Sequence, residues 1–258
     1  MLGAIAGDII GSVYEHHPIK TMEFPLFHPR SRFTDDTVMT LAVAQAILLK
    51  RPYGLVMKSF GRIYPRAGYG GNFYKWIFEE KVEPYGSWGN GSAMRVSPIG
   101  FAFNTEQDIL REAENSARVS HDHIEGIKGA QGVALAIFLA RQGASKSEIR
   151  TRISKDFSYN LNRTVDIIRP GYRFDVSCQG SVPEAIIAFL DSTNYEDAIR
   201  KAISLGGDSD TLACIAGAIA QVFYREIPED IINGVKQFLP GDLWLILEEF
   251  QKHYQVEY

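Results

Sequence analysis

The sequence predicts an all-α fold in a single domain spanning residues 1–258. Three observations predict it. Apolar residues recur at helical spacing through most segments, and Ser, Thr, Asp or Asn opens several of them, where a side-chain oxygen can cap the free N–H groups of a first turn. Alternating Val, Ile and Thr runs are missing, and Val165–Ile168 is the one short strand candidate. No Pro-, Gly- or Ser-rich linker divides the chain, and 258 residues with 45% hydrophobic content are enough for one large core.

The elements follow in order. Residues 2–13 read as an apolar helix with Gly3, Gly7 and Gly11 on one stripe. Glycine costs a helix about 1 kcal/mol against alanine, so three on one stripe predict a neighbouring backbone at very close range. Residues 36–49 make the second helix and 55–64 the third. Thr105-x-x-Asp108 opens a helix that runs to about Val119. Residues 123–141 make a long helix carrying Gly129, Ala130, Gly132, Ala134 and Ala136. Ser181-x-x-Glu184 reads as a capping box with Pro183 in the first turn. Asn194-x-x-Asp197 starts another helix, and 210–224, 228–238 and 242–254 complete the set. The long loops are 15–33, 66–71, 82–98 and 154–180, and long loops in a compact domain are usually functional.

Two acidic clusters each open an apolar helix: Thr34-Asp35-Asp36-Thr37 and Asp208-Ser209-Asp210-Thr211. The match continues as Asp-Thr-aliphatic-x-x-aliphatic-Ala-x-Ala from Asp36 and again from Asp210. Capping needs one side-chain oxygen, and each cluster offers two carboxylates and a hydroxyl. Like charges at two buried helix starts repel unless cations offset them. Brought together, these groups would form a hard-oxygen cage for one or two divalent cations.

Composition excludes other classes. A generic nucleic-acid binder would be basic, whereas the net charge is -4, so no nucleic-acid partner is expected. Cys178 and Cys214 lack metal-type spacing, and a reduced, cytoplasmic protein is the natural reading. Asp8 interrupts the first apolar run, which argues against a signal peptide. The most apolar segment, 211–223, is too short to span a bilayer, so no membrane association is expected. The expected state is a monomer.

Four blocks together carry a resemblance: Gly7-Asp8-x-x-Gly11-Ser12-x-Tyr14-Glu15, Phe33-Thr34-Asp35-Asp36-Thr37, Gly86-Ser87-Trp88-Gly89-Asn90-Gly91-Ser92-Ala93-Met94-Arg95, and Gly206-Gly207-Asp208-Ser209-Asp210-Thr211. Ser120-His121 is a softer fifth. In this order and spacing the chain resembles the ADP-ribosylglycohydrolases over nearly its whole length. The resemblance implies an orthogonal helical bundle with two divalent cations, usually magnesium and alternatively manganese, at the base of an ADP-ribose cleft. It implies Thr34, Asp35, Asp36, Asp208, Asp210 and Thr211 as metal ligands. It places Gly86, Ser87, Trp88, Gly89, Asn90 and Gly91 along the diphosphate and distal ribose, His121 in contact with the ligand, and Glu15 as the catalytic group beside the scissile bond.

The implied activity is hydrolysis that releases ADP-ribose from an ADP-ribosylated protein side chain or a small ADP-ribosyl conjugate. The residue types suit it. An oxocarbenium-like transition state gains from nearby carboxylates, metals hold ribose hydroxyls and a water, and glycine makes backbone N–H groups accessible to a diphosphate. Asp8 is expected in a structural role, and Tyr85 and Tyr172 as adenine stackers. Two alternatives stay open: a non-catalytic ADP-ribose-binding protein like the crystallins related to the family, and a metal-dependent phosphohydrolase of nucleotide diphosphates. Segments 66–71 and 154–180 match no acceptor-specific pattern, so the acceptor is open.

Overall fold

Helix α1 (Leu2–Gly11) is buried at every residue. Helix α2 (Asp35–Leu49) starts where Thr34, extended at φ -119°, accepts a hydrogen bond from the Asp36 N–H. It stops where Lys50 turns left-handed at φ 50°. Helices α3 (Tyr53–Ile63) and α4 (Gly71–Phe78) follow, then the short α5 (Gly91–Met94) and α6 (Ser97–Ala102). Thr105 caps α7 (Glu106–Arg118) by accepting from Asp108 N–H. After the Ala/Gly-rich α8 (Ile124–Arg141), α9 (Lys146–Phe157) opens on a complete capping box of Ser145 and Glu148. Next come α10 (Val165–Ile168), α11 (Cys178–Asp191) and α12 (Tyr195–Ser204), the last capped by Asn194. Helices α13 (Ser209–Tyr224), α14 (Glu229–Phe238) and α15 (Gly241–Tyr254) end the order. This computed structural model describes residues 1–256, and among them the regular elements are all helices, joined by one isolated bridge between Gly89 and Ser177.

One continuous apolar core runs through the molecule, with α1 and α13 at its centre. The two helices are antiparallel and nearly touch along the glycine stripe. A Cβ on Gly3 would lie 2.4 Å from Gly217 O, one on Gly7 2.1 Å from Ala213 O, and one on Gly11 2.6 Å from Asp210 Cα. The close backbone that the stripe predicts is therefore α13. Around this pair, α13 packs on α8, α11 and α12, while α2 packs on α3 and α15. The C-terminal end of α1 and the N-terminal ends of α2 and α13 come together at one side of the core.

Several local expectations need correction. Val165–Ile168 is one helical turn rather than a strand: Val165 and Ile168 are buried while Asp166 and Ile167 are exposed, an i, i+3 pair that a helix satisfies. The capping box at Ser181 and Glu184 is absent. Helix α11 starts a turn earlier, with Ser177 accepting from Gly180 N–H. Ser181 Oγ donates to Ser177 O at 2.7 Å, and Glu184 pairs with Arg163 at 2.8 Å. Pro183 is thus inside the helix, where it forgoes the bond to the carbonyl four residues back. Helix α9 also occupies the start of the expected 154–180 loop, and α5 falls within the expected 82–98 loop.

Candidate functional site

The site begins with Asp8, the polar residue in the middle of α1. It is fully buried and accepts four hydrogen bonds from the start of α2. Thr34 Oγ1 donates to its Oδ1 at 2.6 Å, and Thr34 N and Thr37 N donate to Oδ2 at 2.9 and 3.2 Å. Thr37 Oγ1 donates to the same oxygen. Hydrogen bonds to a charged acceptor contribute about 1.5–3 kcal/mol each, so Asp8 fastens α2 to α1. The glycine stripe fastens α1 to α13. The two acidic helix starts have no choice but to meet.

They meet beside Glu15. Glu15, Asp208 and Asp210 each offer an oxygen, and these atoms all lie within 4.8 Å of one another. Asp36 stands outside that trio but lines the same cleft, and its Oδ2 is buried without a hydrogen-bond partner. Asn90 Nδ2 donates to Asp208 Oδ2 at 2.7 Å. Among the described residues, the 3.5 Å contact from His16 to Glu15 is the one ion pair that reaches this cluster. Burial and then Asp8 push the Asp35 carboxyl up to about 8. Burial and neighbouring carboxylates also raise Asp36 and Asp210, and burial raises Asp208. Glu15 is raised by burial and by Asp208. A cluster of largely buried acids with an orphaned oxygen, met among the described residues by His16 alone as an ion-pair partner, fits a hard divalent cation.

The acids line a cleft of about 360 Å³. Glu15, Asp35, Asp36, Asp208, Asp210 and Thr211 share its lining with Ser87, Gly89, Asn90, Gly91, Tyr85 and His121, and with Phe73 and Arg95 among others. Thr34 is buried under the cluster, its hydroxyl shared between Asp8 and Asp36 N–H. Gly86 supplies a turn at φ +67° and donates its N–H to Asp122 at 2.7 Å. Gly89 and Gly91 leave space for the His121 ring, whose Nε2 would stand 3.6 and 3.1 Å from a Cβ at those positions.

The loop differs from expectation in its donors. Gly89 N–H is spent on Ser87 Oγ at 3.1 Å and Asn90 N–H on Val176 O at 2.7 Å. Two aromatics are also placed differently. Trp88 is 53% exposed, packs edge-on against His123 and does not line the cleft. Tyr172 packs on Gly207 and donates to Gly180 O at 2.9 Å, so it braces the second acidic turn instead of the cleft. Tyr85 does line the cleft. The sequence reading assigned no part to Asn72, Phe73 or Arg95. The usable signal for the first two was the Phe73, Trp76, Ile77 spacing that marks α4, and Arg95 ends a motif block.

The ADP-ribosylglycohydrolase family model matches residues 1–257. The chain belongs to the ADP-ribosylglycohydrolase family. Among curated relatives, ADP-ribosylhydrolase ARH3 of Mus musculus is 29% identical, over 94% of this chain and 88% of the mouse protein. ARH3 of Homo sapiens is 29% identical over 89% and 86%. ADP-ribosylarginine hydrolase Tri1 of Pseudomonas putida is 24% identical over 87% and 69%. A solved structure described as an ADP-ribosylglycohydrolase-related protein complex has a TM-score of 0.74 at 23% identity and covers 96% of both chains, which shows the shared fold. An acidic cluster able to hold a metal ion lines the cleft. No helix among the described residues is long and apolar enough to cross a membrane.

Proposed function

We propose that this family member is an ADP-ribosyl-acceptor hydrolase that depends on divalent cations, with magnesium the first choice and manganese the second. The observation that carries the reading is Glu15 within reach of Asp208 and Asp210 in the lining of a cleft. Thr34, Asp35, Asp36, Asp208, Asp210 and Thr211 would hold the cations. Bound there, they supply Lewis acidity and orient the distal ribose hydroxyls and a water. Glu15 holds the attacking water and takes its proton, a task that suits a carboxyl raised above its ordinary range. The bond from the anomeric carbon to the acceptor breaks, water oxygen joins the carbon, and the acceptor leaves with a proton. The remaining carboxylates favour the oxocarbenium-like charge. The wall of Ser87, Gly89, Asn90, Gly91 and His121 contacts the rest of ADP-ribose, with Gly86 setting the turn and Trp88 at its outer edge. A reduced, cytoplasmic location suits the two buried free thiols, Cys178 and Cys214.

The decisive experiment is a panel of arginine-, serine- and acetyl-linked ADP-ribose conjugates, assayed with magnesium and with manganese. Free ADP-ribose with an intact diphosphate is the expected product. AMP plus ribose 5-phosphate would make the protein a phosphohydrolase, and tight ADP-ribose binding without turnover on any conjugate would make it a binding protein. ADP-ribose is expected to bind more tightly than AMP or ribose 5-phosphate, because the cleft contacts both halves.

A further inference from the structure

Arg95, Ser120 and His121 form a buried chain of hydrogen bonds in the cleft wall. Arg95 is fully buried, and its Nη2 donates to Ser116 O at 2.8 Å and to Ser120 Oγ at 3.0 Å. Ser120 is fully buried as well, and its Oγ lies 2.8 Å from His121 Nδ1. Among the described residues Ser120 Oγ has no other partner, and Arg95 makes no ion pair. His121 is 4% exposed; its Nδ1 is taken by Ser120, and its Nε2 stands beside Gly89 and Gly91 in the cleft.

The chemistry of the donors sets the direction of this chain. A guanidinium donates and never accepts, so Ser120 Oγ must accept from Arg95. The serine hydroxyl hydrogen then has one acceptor in reach, His121 Nδ1. Were Nδ1 to carry the ring proton, the hydroxyl hydrogen would be buried without a partner, the arrangement that folded proteins avoid. Nδ1 is therefore the acceptor, and the ring proton is on Nε2. Arg95 adds a second constraint, since burial and its nearby positive charge hold His121 well below the usual histidine range and keep the ring neutral.

We infer that Arg95 and Ser120 are positioning residues that fix His121 as its Nε2–H tautomer and aim that N–H at a phosphate oxygen of a nucleoside diphosphate sugar lying along Gly89 and Gly91. The identity of the ligand rests on the function proposed above; the tautomer does not. The glycine loop spends its Gly89 N–H on Ser87 and its Asn90 N–H on Val176, which gives a side-chain donor at this point a clear use. Gly91 acquires a reason too, because any side chain there would cover Nε2.

The test uses the full-length, nitrogen-15-labelled protein with magnesium. Long-range proton–nitrogen spectra report the tautomer of His121, its signals assigned by their loss in H121Q. Wild type is expected to show Nε2–H, S120A a mixture of both tautomers, and S120T the wild-type pattern. Calorimetry should show ADP-ribose binding roughly tenfold more weakly to S120A and near wild type to S120T, the scale of one hydrogen bond to a charged acceptor. An Nδ1–H ring in wild type, or an unchanged tautomer in S120A, overturns the assignment. A changed tautomer with unchanged ADP-ribose affinity overturns the donor role. Should wild type bind no ADP-ribose at all, the proposed function fails by itself, and the spectra still decide whether Arg95 and Ser120 set the ring.

Discussion

Gly11 and Asp210 are in backbone contact: a Cβ on the glycine would lie 2.6 Å from the aspartate Cα. Position 11 therefore governs where the second acidic cluster stands relative to Glu15, four residues further on. Gly11→Ala is expected to push α1 and α13 apart, at a cost of about 1–3 kcal/mol for overpacking a tight interface. Thermal melting should show that loss. Divalent binding, followed by calorimetry, should weaken in the same variant, and a normal melting temperature with normal metal affinity would show that the interface gives way freely.

Asp208→Asn and Asp210→Asn are expected to abolish divalent binding and activity while helical circular dichroism stays near wild type. Burial raises both carboxyls, and the neighbouring Asp208, Asp36 and Glu15 raise Asp210 further, so removing a like charge should also stabilise the metal-free protein. Metal titration by calorimetry checks the first part, and melting in chelator checks the second. Wild-type protein that binds no divalent ion would sink the cage.

The same cluster sets a pH dependence. Asp35 has a folded value of about 8, through burial and then Asp8, against about 3.9 for an unfolded aspartate. Such a group binds more protons folded than unfolded between those values, so stability is present at low pH and lost as pH rises through the window. Asp36, Asp208 and Asp210 shift in the same direction. Metal-free protein is expected to melt at a higher temperature at pH 5 than at pH 8, and saturating magnesium should flatten or reverse the slope. A metal-free protein that gains stability towards pH 8 contradicts this.

Glu15→Gln keeps the size and removes the charge. Turnover is expected to fall by roughly 10²–10⁴, the usual range for general acid–base catalysis, with ADP-ribose affinity little changed. Single-turnover rates and calorimetry on the same preparation separate the two. A wild-type rate would leave Glu15 a solvated loop acid. Collapse of binding would instead make it part of the cleft floor, with Asp208 and Asp210 beside it.

The features legible in the sequence are those whose chemistry is local. Gly3, Gly7 and Gly11 announce a close helix partner by spacing alone, and the paired acids announce a charge that needs an offset. Thr105 and Asn194 cap as read. The misreadings share one cause. Ser181 and Glu184 have capping-box spacing, but that same spacing puts residues on one face of a helix interior, and only the packing of Arg163 against Glu184 distinguishes the two. Helix α9 has a polar surface and only Ile149, Ile153 and Phe157 buried, so its apolar signal is faint. Glycines in the 86–91 loop show that the backbone is accessible, yet not where each N–H points; the Ser87 hydroxyl within the loop and the Val176 carbonyl far from it in sequence settle that. The aromatic ring of Tyr172 suits adenine stacking in the sequence, and it serves equally to brace Gly207.

The pairing of α1 with α13 also constrains how the chain reaches its native state. Gly3 N–H bonds to the Gln221 side chain 218 positions away, and every residue of α1 is buried when folding is complete. During synthesis α1 must wait, with its apolar surface uncovered, until α13 has left the ribosome. Contacts of such long sequence separation form slowly, and uncovered apolar segments recruit chaperones or aggregate. No partial chain that stops short of Asp208 brings the two acidic clusters together, so the acidic site forms only on a chain whose α1 and α13 have paired. Loading of the cations proposed above would thereby act as a final inspection, and their withdrawal would expose the charge repulsion in chains that have otherwise finished folding.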